Sequence, residues 1–254
     1  MIIYFLAYLR FVGMMFAATL FFATASPMPL RFMFAAVLGT MAVNALANDP
    51  SAAVPLVLFD SWLSIFLLAL REIAIGVSLG LLMELPLLAL QVSGEQISMA
   101  MGFSMASVMD PLTQRQSSVV GQLQFLLGLW FYFRWNGHLL FIQAVMESLR
   151  LVPLGSLAWL PKGDMNIGTW LSDAFRMAMK MVIPYYCSIM LADVGLGFLA
   201  RTVPQMNIFI LGLPIKVALG FFVLAAVLPR AIEIVHASLE DFVAFALRNL
   251  SAWF

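Results

Sequence analysis

The sequence predicts an all-α, membrane-associated protein built from helical hairpins whose helices are interrupted by proline and glycine. Hydrophobic residues make up 63% of the chain and charged residues 10%, whereas an average soluble domain has about 45–50% apolar and about 25% charged residues. The mean hydropathy is +1.01. The apolar runs are long, and the 254 residues have room for roughly half a dozen membrane spans of about 20 residues each.

Charge and cysteine usage exclude several functions. The formal net charge is zero, and the basic residues are scattered from Arg10 to Arg248, so the sequence has no clustered basic face for a nucleic-acid partner. Cys187 is the lone cysteine and allows neither an intrachain disulfide nor a cysteine-based metal cluster. The two histidines, His138 and His236, are too few for a typical metal site. We expect no metal and no cofactor.

The first helix begins almost at once, carries Arg10, and ends at Ser26-Pro27-Met28-Pro29, because proline lacks an amide donor and restricts the residue before it. Its charges come in the wrong order for a secretory signal, so we expect the helix to be retained. Arg10 is expected either to snorkel to an interface or to pair inside an assembly. A second apolar run over 30–47 ends at the turn signal Asn48-Asp49-Pro50.

The pattern over 61–90 predicts a nearly continuous third helix, with a kink or a new segment at Pro86. Four of its residues recur at every fourth position and therefore share one face: Glu72, Gly76, Gly80 and Glu84. Small residues at this spacing predict close helix packing in lipid, with the glutamates meeting Arg71 or another chain's cation. The alternative is a proton relay of intramembrane acids.

The stretch 94–111 lies between long apolar runs and is the one around which we expect the molecule to be organised. It holds two carboxylates, Glu95 and Asp110, together with two glycines and four methionines. Charge at membrane depth needs a partner or water, and irregular backbone there survives only where it is buried in protein or lines a cavity. We therefore predict that this stretch is the moving part of the molecule. The polar run 112–118 predicts a loop or an exposed helix start.

The rest of the chain predicts further helical segments, divided by Asn136-Gly137, a strong turn signal, and by a loop over 153–164 that holds the candidate interfacial anchor Trp159. Two of these segments are amphipathic, 169–180 and 229–254. The apolar segments cover 119–135, 139–151, 182–200 and 208–228.

No catalytic motif stands out. Residues 195–200 have the spelling of a dinucleotide fingerprint, but no strand precedes them, so the match is spurious. Charges set inside apolar runs, together with Gly and Pro interruptions, are typical of a transporter or channel. They are equally typical of a subunit whose helices are covered by other subunits. A stand-alone secondary transporter with a proton or ion site at Glu72, Glu84 or Asp193 is the alternative function.

Several motifs follow one another along nearly the whole chain. They are Arg10-Phe11-Val12-Gly13-Met14; Gly94-Glu95 leading through Gly102-Phe103 to Asp110-Pro111; Asn136-Gly137-His138; Ser148 with Pro153-Leu154-Gly155; and Gly197-Phe198-Leu199-Ala200-Arg201 with Pro204-Gln205-Met206-Asn207-Ile208-Phe209 and Gly212. In this order they resemble the FliR family of the type III secretion export apparatus, called SctT in injectisomes. The last group is the most specific. Ala18 departs from the family, which often has proline there.

The resemblance implies a non-enzymatic core subunit of a type III protein export gate, with 1–254 forming a single domain. In the family, FliP-like and FliQ-like subunits complete a channel for unfolded flagellar export substrates across the bacterial inner membrane, and an FlhB-like protein docks nearby. The implied location is the flagellar basal body, with lipid as a further partner. Helices that look transmembrane are largely lifted out of the bilayer by subunit contacts. The injectisome branch stays open, and the motifs favour the flagellar one.

The resemblance also implies roles for particular residues. The loop after the Gly-Glu helix would be a channel plug or its hinge: Phe103, Ser104, Met105, Ala106, Met109, Asp110 and Pro111. Gly94, Glu95 and Gly102 would flank it. Subunit contacts or the channel wall are assigned to a further group: Arg201, Pro204, Gln205, Met206 and Asn207. Methionine suits a plug because its flexible thioether repacks easily, although Met99 and Met101 also fit as ordinary core residues.

Overall fold

The computed structural model describes residues 2–18, 27–47, 62–103, 118–154, 167–202 and 208–253. Nearly all of these residues belong to seven α-helices: α1 (Ile2–Ala17), α2 (Met28–Ala47), α3 (Trp62–Met101), α4 (Val119–Arg134), α5 (Gly137–Leu151), α6 (Ile167–Thr202) and α7 (Ile208–Trp253). These ranges contain no strand, so the all-α prediction is confirmed. Within these described ranges, four helices are long and apolar enough to cross a membrane, over Met28–Ala45, Trp62–Met101, Gly168–Thr202 and Gly212–Arg248.

Proline interrupts fewer helices than the sequence predicts. Helix α3 continues through Pro86, so no new helix begins there. Helix α6 runs through Pro184 and joins the segments predicted over 169–180 and 182–200. Helix α7 runs through Pro229, so the separate carboxy-terminal helix is wrong. Apolar helices tolerate proline because neighbouring groups and small backbone adjustments satisfy the freed carbonyl.

The chain divides into two compact units. Unit 1 comprises Met1–Leu85, Asn136–Trp170 and Leu239–Phe254, and unit 2 comprises Pro86–Trp135 and Leu171–Ser238. Helices α3, α6 and α7 therefore contribute residues to both units. The single domain over 1–254 stays a prediction.

In unit 1, α1 and α2 form an antiparallel hairpin. The Tyr4 hydroxyl donates to Asn44 Oδ1 at 3.0 Å near one end of the pair. The rings of Phe16 and Phe32 lie 5.6 Å apart near the other end. The partner numbers fall on one helix as they rise on the other, which fixes the antiparallel direction. The break predicted at 26–29 thus separates two helices that pack together.

In unit 2, two antiparallel pairs carry the core. The end of α3 packs on α4, where a Cβ at Gly128 would lie 2.5 Å from Leu90 Cδ2. Helices α6 and α7 form the second pair. Their shared core is a cluster of buried side chains: Ile97, Met101, Val120, Tyr185, Ile189 and Leu224.

Candidate functional site

The central stretch begins as helix and ends in a glycine cap. Gly94 and Glu95 lie inside α3, so 94–101 is regular helix rather than irregular backbone. Gly102 follows with a φ of +89°. Its N–H donates to Met99 O at 3.0 Å, and the Phe103 N–H donates to Ser98 O at 3.2 Å. This bonding pattern is the Schellman motif, in which glycine adopts the left-handed conformation without the Cβ penalty.

Phe103 packs immediately after this cap. Its ring meets the ring of Phe221 in α7 edge to face, at 6.5 Å between centroids, and it adds to the buried cluster of unit 2. A Cβ at Gly102 would lie 2.9 Å from Leu213 Cδ1, so α7 also crowds the turn. The other predicted plug residues, Ser104, Met105, Ala106, Met109, Asp110 and Pro111, lie outside the described residues.

The alternative that Met99 and Met101 are ordinary core residues holds for only one of the two. Met101 is fully buried and belongs to the core cluster, whereas Met99 is 49% exposed. A Cβ at Gly220 would clash with Met101 and with the Tyr185 hydroxyl. Met101 is therefore core packing, and Met99 lies at the surface of α3 one turn before the cap.

Ser118 is the residue before α4 and connects α4 to α3 through hydrogen bonds. The Ser118 hydroxyl accepts from Gly121 N–H at 2.8 Å and so caps α4, which matches the predicted helix start. It also donates to Gly94 O at 3.4 Å. A Cβ at Gly94 would lie 2.6 Å from Gly121 Cα, so the two helix backbones are in close contact here. Gly102 and Ser118, on either side of 104–117, are thus both bonded to the last turns of α3.

A polar contact supports the same crossing. The Ser93 hydroxyl, fully buried, donates to Gln124 Oε1 at 3.1 Å. Glu95, the predicted plug-flanking acid, is half-buried and accepts from Gln91 Nε2 at 3.4 Å. The sequence pattern gave no sign of Ser93 and Gln124.

In unit 1, the most buried charges form one ion pair. The Arg10 Nε donates to Glu72 Oε2 at 2.6 Å, and Arg10 Nη2 lies 2.6 Å from the same oxygen. Both side chains are fully buried. The expectation that Arg10 snorkels to an interface is wrong. Glu72 therefore meets a cation of its own chain, Arg10, and its charge also interacts with that of the neighbouring Arg71.

The rest of the guanidinium is held by α5 and the residue that follows it. Arg10 Nη1 donates to Ser148 Oγ at 3.2 Å, and Nη2 donates to Val152 O at 3.0 Å. Arg10 and Ser148 both belong to the motifs of the resemblance, and the structure brings them together. Three hydrogen bonds and an ion-pair contact from one planar group fix α1, α3 and the end of α5 in one arrangement, since guanidinium donors have rigid directions.

Gly76 and Gly80, the two glycines of the face predicted on α3, pack directly against α1. A Cβ at Gly76 would lie 2.8 Å from Met14 N and would also meet Arg10 O, and one at Gly80 would lie 2.7 Å from Met14 O. The α1 and α3 backbones are therefore in direct contact, one turn from the Glu72 carboxylate. Glu84 is half-buried and has an interaction partner. The close-packing role of these four residues stays a prediction.

The remaining predicted residues are only partly described. Arg201 is exposed in the last turn of α6, whereas Pro204, Gln205, Met206 and Asn207 lie outside the described residues. Two buried hydroxyls that sequence reasoning missed are those of Tyr132 and Tyr185, which have no hydrogen-bond partner in the described ranges. Burial raises the pKa of Tyr132, so this hydroxyl stays protonated.

A second ion pair joins two helices of unit 2. Lys216 Nζ lies 2.5 Å from Asp193 Oδ1, and the side chains are 28% and 47% exposed. The sequence marks both residues as charges in apolar runs, but it gives no sign that they pair. Other ion pairs among the described residues, such as Arg150–Glu147 and Arg176–Asp173, are exposed and lie three residues apart on one helix.

These features define a class: a helical membrane protein with internally paired charges and close glycine crossings. The model of the family described as bacterial export proteins, family 1, matches residues 1–242. The chain therefore belongs to that family, as the resemblance implied.

Named relatives agree with this membership. The chain is 34% identical to flagellar biosynthetic protein FliR of Bacillus subtilis over 190 residues, 73% of each chain. It is 24% identical to FliR of Aquifex aeolicus over 237 residues, 93% of this chain and 89% of that one. It is also 27% identical to Yop proteins translocation protein T of Yersinia pestis over 186 residues, 71% of this chain and 67% of that one.

Proposed function

We propose that this protein is a non-enzymatic core subunit of a type III protein export gate in the bacterial inner membrane. FliP-like and FliQ-like subunits would complete its channel for unfolded flagellar export substrates, with an FlhB-like protein docked nearby. The names of its relatives refer to flagellar biosynthesis and to protein translocation, and both fit a component of type III export.

The observation that carries the assembly is the exposed apolar face of α6. Exposed apolar side chains recur along the helix from Leu171 and Phe175 to Phe198. They cover a length of roughly 40 Å at 1.5 Å per residue, whereas the hydrocarbon core of a bilayer is about 30 Å thick. The exposed pair Asp173–Arg176 lies within the same length. Lipid alone does not cover an apolar face that is longer than the hydrocarbon core and includes charges. Neighbouring subunits would cover it along its whole length.

The ion pairs argue against the alternative function, a stand-alone secondary transporter. Glu72 is paired with Arg10, and one carboxylate oxygen of Asp193 contacts Lys216. A carboxylate that holds a cation of its own chain is a poor site for a transported ion. Glu84, the third acid of that hypothesis, also has an interaction partner.

Within this gate we propose that Phe103 and the residues after it, Ser104, Met105, Ala106, Met109, Asp110 and Pro111, form the plug. Gly94, Glu95 and Gly102 would hold its base. The support is that the described residues on either side of 104–117 are bonded to α3, Gly102 through its cap and Ser118 through its contact with Gly94. Arg201, Pro204, Gln205, Met206 and Asn207 are proposed as subunit contacts or channel wall.

The assembly is tested by purifying the chain in mild detergent from cells that co-express its genomic neighbours. Native mass spectrometry is expected to find this chain bound to several copies of two other small helical membrane proteins. A stable monomer or homodimer would overturn the proposal.

The plug is tested separately by deleting 104–109 and measuring ion conductance across the membrane of intact cells. We expect a leak, because the closed channel would lose its obstruction. A deletion of the same length within 155–166 is the control and is expected to leave conductance at the wild-type level. Unchanged conductance in the first variant would remove the plug assignment but not the export assignment.

A further inference from the structure

Asp193 and Lys216 are isolated charges in an apolar surface of unit 2. Asp193 is the only charged residue in 181–200, and Lys216 is the only one in 208–229. One turn before each charge, on the same side of its helix, lies an exposed apolar side chain: Met190 is 67% exposed and Leu213 is 47% exposed. The ion pair therefore interrupts a face that is otherwise apolar.

The Asp193 carboxylate contacts Lys216 within unit 2, and the rest of the carboxylate is exposed to the surroundings of the chain. Lys216 Nζ contacts one carboxylate oxygen of Asp193, and the Asp193 side chain is more exposed than that of Lys216, 47% against 28%. A carboxylate offers about four acceptor positions, and one ammonium group does not fill them. The group that this ion pair presents most to its surroundings is therefore the carboxylate.

The depth of the pair makes this exposure costly in lipid. Asp193 lies nine residues before the end of α6 at Thr202, about 14 Å along the helix axis. A hairpin tip at the membrane surface would place the carboxylate near the middle of a hydrocarbon core about 30 Å thick. Ionisable groups at such positions pair with other groups or line a site of function.

Space for a partner exists one turn further along. Gly197 follows Asp193 by four residues and so lies on the same face, and nothing lies within 4 Å of a Cβ built there. Glycine at a helix surface lets a second helix approach closely in a membrane. The open glycine and the open carboxylate are thus neighbouring parts of one surface.

We propose that Asp193 receives a Lys or Arg side chain from an apolar helix of a partner subunit, and that this helix packs against Gly197. The inference rests on the proposed export assembly for the existence of partner subunits. Charge complementarity selects a cation, since the exposed member of the pair is the carboxylate. Lys216 then orients the carboxylate from within.

The test compares three variants of the full chain, each co-expressed with the partner subunits and weighed as a complex. Asp193→Asn is expected to lower the amount of assembled complex about tenfold or more, because the partner's charge loses its counter-ion. Lys216→Met is expected to stay within about twofold of the wild type, since the carboxylate keeps the partner's cation. The exchange Asp193→Lys with Lys216→Asp restores the internal pair but inverts the outward charge, and it is expected to remain defective.

Three results would overturn the inference. If the exchanged variant assembles normally, the pair only joins α6 to α7 within this chain. If Asp193→Asn assembles normally, lipid or water rather than a partner's cation covers the carboxylate. If only Lys216→Met is defective, the partner contacts the lysine instead. If Asp193→Asn does not fold, Gly197→Leu decides, because its side chain meets open space in this chain: normal assembly overturns the inference, and loss supports it. A wild-type chain without partners would overturn the export assembly itself.

Discussion

Two ion pairs that join different helices, one described in each unit, differ in what surrounds them. In unit 1, Arg10–Glu72 is fully buried and Arg10 has further bonds to Ser148 and Val152. In unit 2, Lys216–Asp193 is partly exposed and holds a single contact between charged atoms. Both pairs lie in apolar helices, so burial and the number of bonds, rather than sequence context, separate a structural pair from one that is open to a partner.

Burial also sets what each pair contributes to folding. A fully buried pair is weak evidence for net stability, but the loss of one partner leaves an uncompensated charge in a medium of low polarity. A partly exposed pair has water or a neighbour as a substitute. The difference is therefore largest when one carboxylate is neutralised and the other groups are left in place.

The largest expected effect is that of Glu72→Gln, which keeps the shape of the side chain and removes its charge. It is expected to lower the free energy of unfolding by about 3–5 kcal/mol, measured by denaturation in detergent. The matched change Asp193→Asn is expected to cost less than about 1 kcal/mol.

The exposed pair Arg150–Glu147 supplies the control. Glu147→Gln is expected to change stability by less than about 0.5 kcal/mol. If Glu72→Gln proves no more damaging than Glu147→Gln, the Arg10 network does not hold unit 1 together. The double change Arg10→Met with Glu72→Leu is expected to recover part of the loss, since neither member of the pair is then left buried without the other.

The glycines extend the same comparison. Gly76 lies on the α1 backbone, and its new methyl group in Gly76→Ala would force α1 and α3 apart, at a cost of about 1–3 kcal/mol. Gly195 on α6 has nothing within 4 Å, so Gly195→Ala is expected to be neutral or to stabilise by up to about 1 kcal/mol. Equal melting temperatures for the two variants would contradict the direct backbone contact in unit 1.

A third effect is expected at the cap of α3. Gly102→Ala places a Cβ in the left-handed region and against Leu213, at a cost of about 1–2 kcal/mol. Gly102→Asn is expected to cost less, because asparagine tolerates that region. Thermal denaturation of both variants in detergent checks the order, and a reversed order would mean that contact with Leu213 outweighs the backbone conformation.

The sequence predicts the fold class and the unusual residues, such as charges in apolar helices, better than it predicts which residues those contact. Periodicity and composition identify the apolar helices, and Gly102 at the end of one is a recognisable cap. Arg10 and Glu72 stand out as charges in apolar runs, but they are 62 residues apart, and a helical period carries no information over that distance. Prolines mislead for a related reason: whether Pro86 or Pro229 ends a helix depends on neighbours that the local sequence does not reveal.

The smallest effect concerns Ser118, where unit 2 is held by neutral groups instead of charges. Ser118→Ala removes the cap on Gly121 N–H and the contact with Gly94 O, and it is expected to cost about 1 kcal/mol. Ser118→Thr is the matched control, because the threonine hydroxyl can both accept from Gly121 N–H and donate to Gly94 O. Hydrogen exchange should therefore show faster exchange at the start of α4 in Ser118→Ala alone. Equal exchange in both variants would place the fastening of α4 on the Gly94–Gly121 contact, where the two backbones already meet without any side chain.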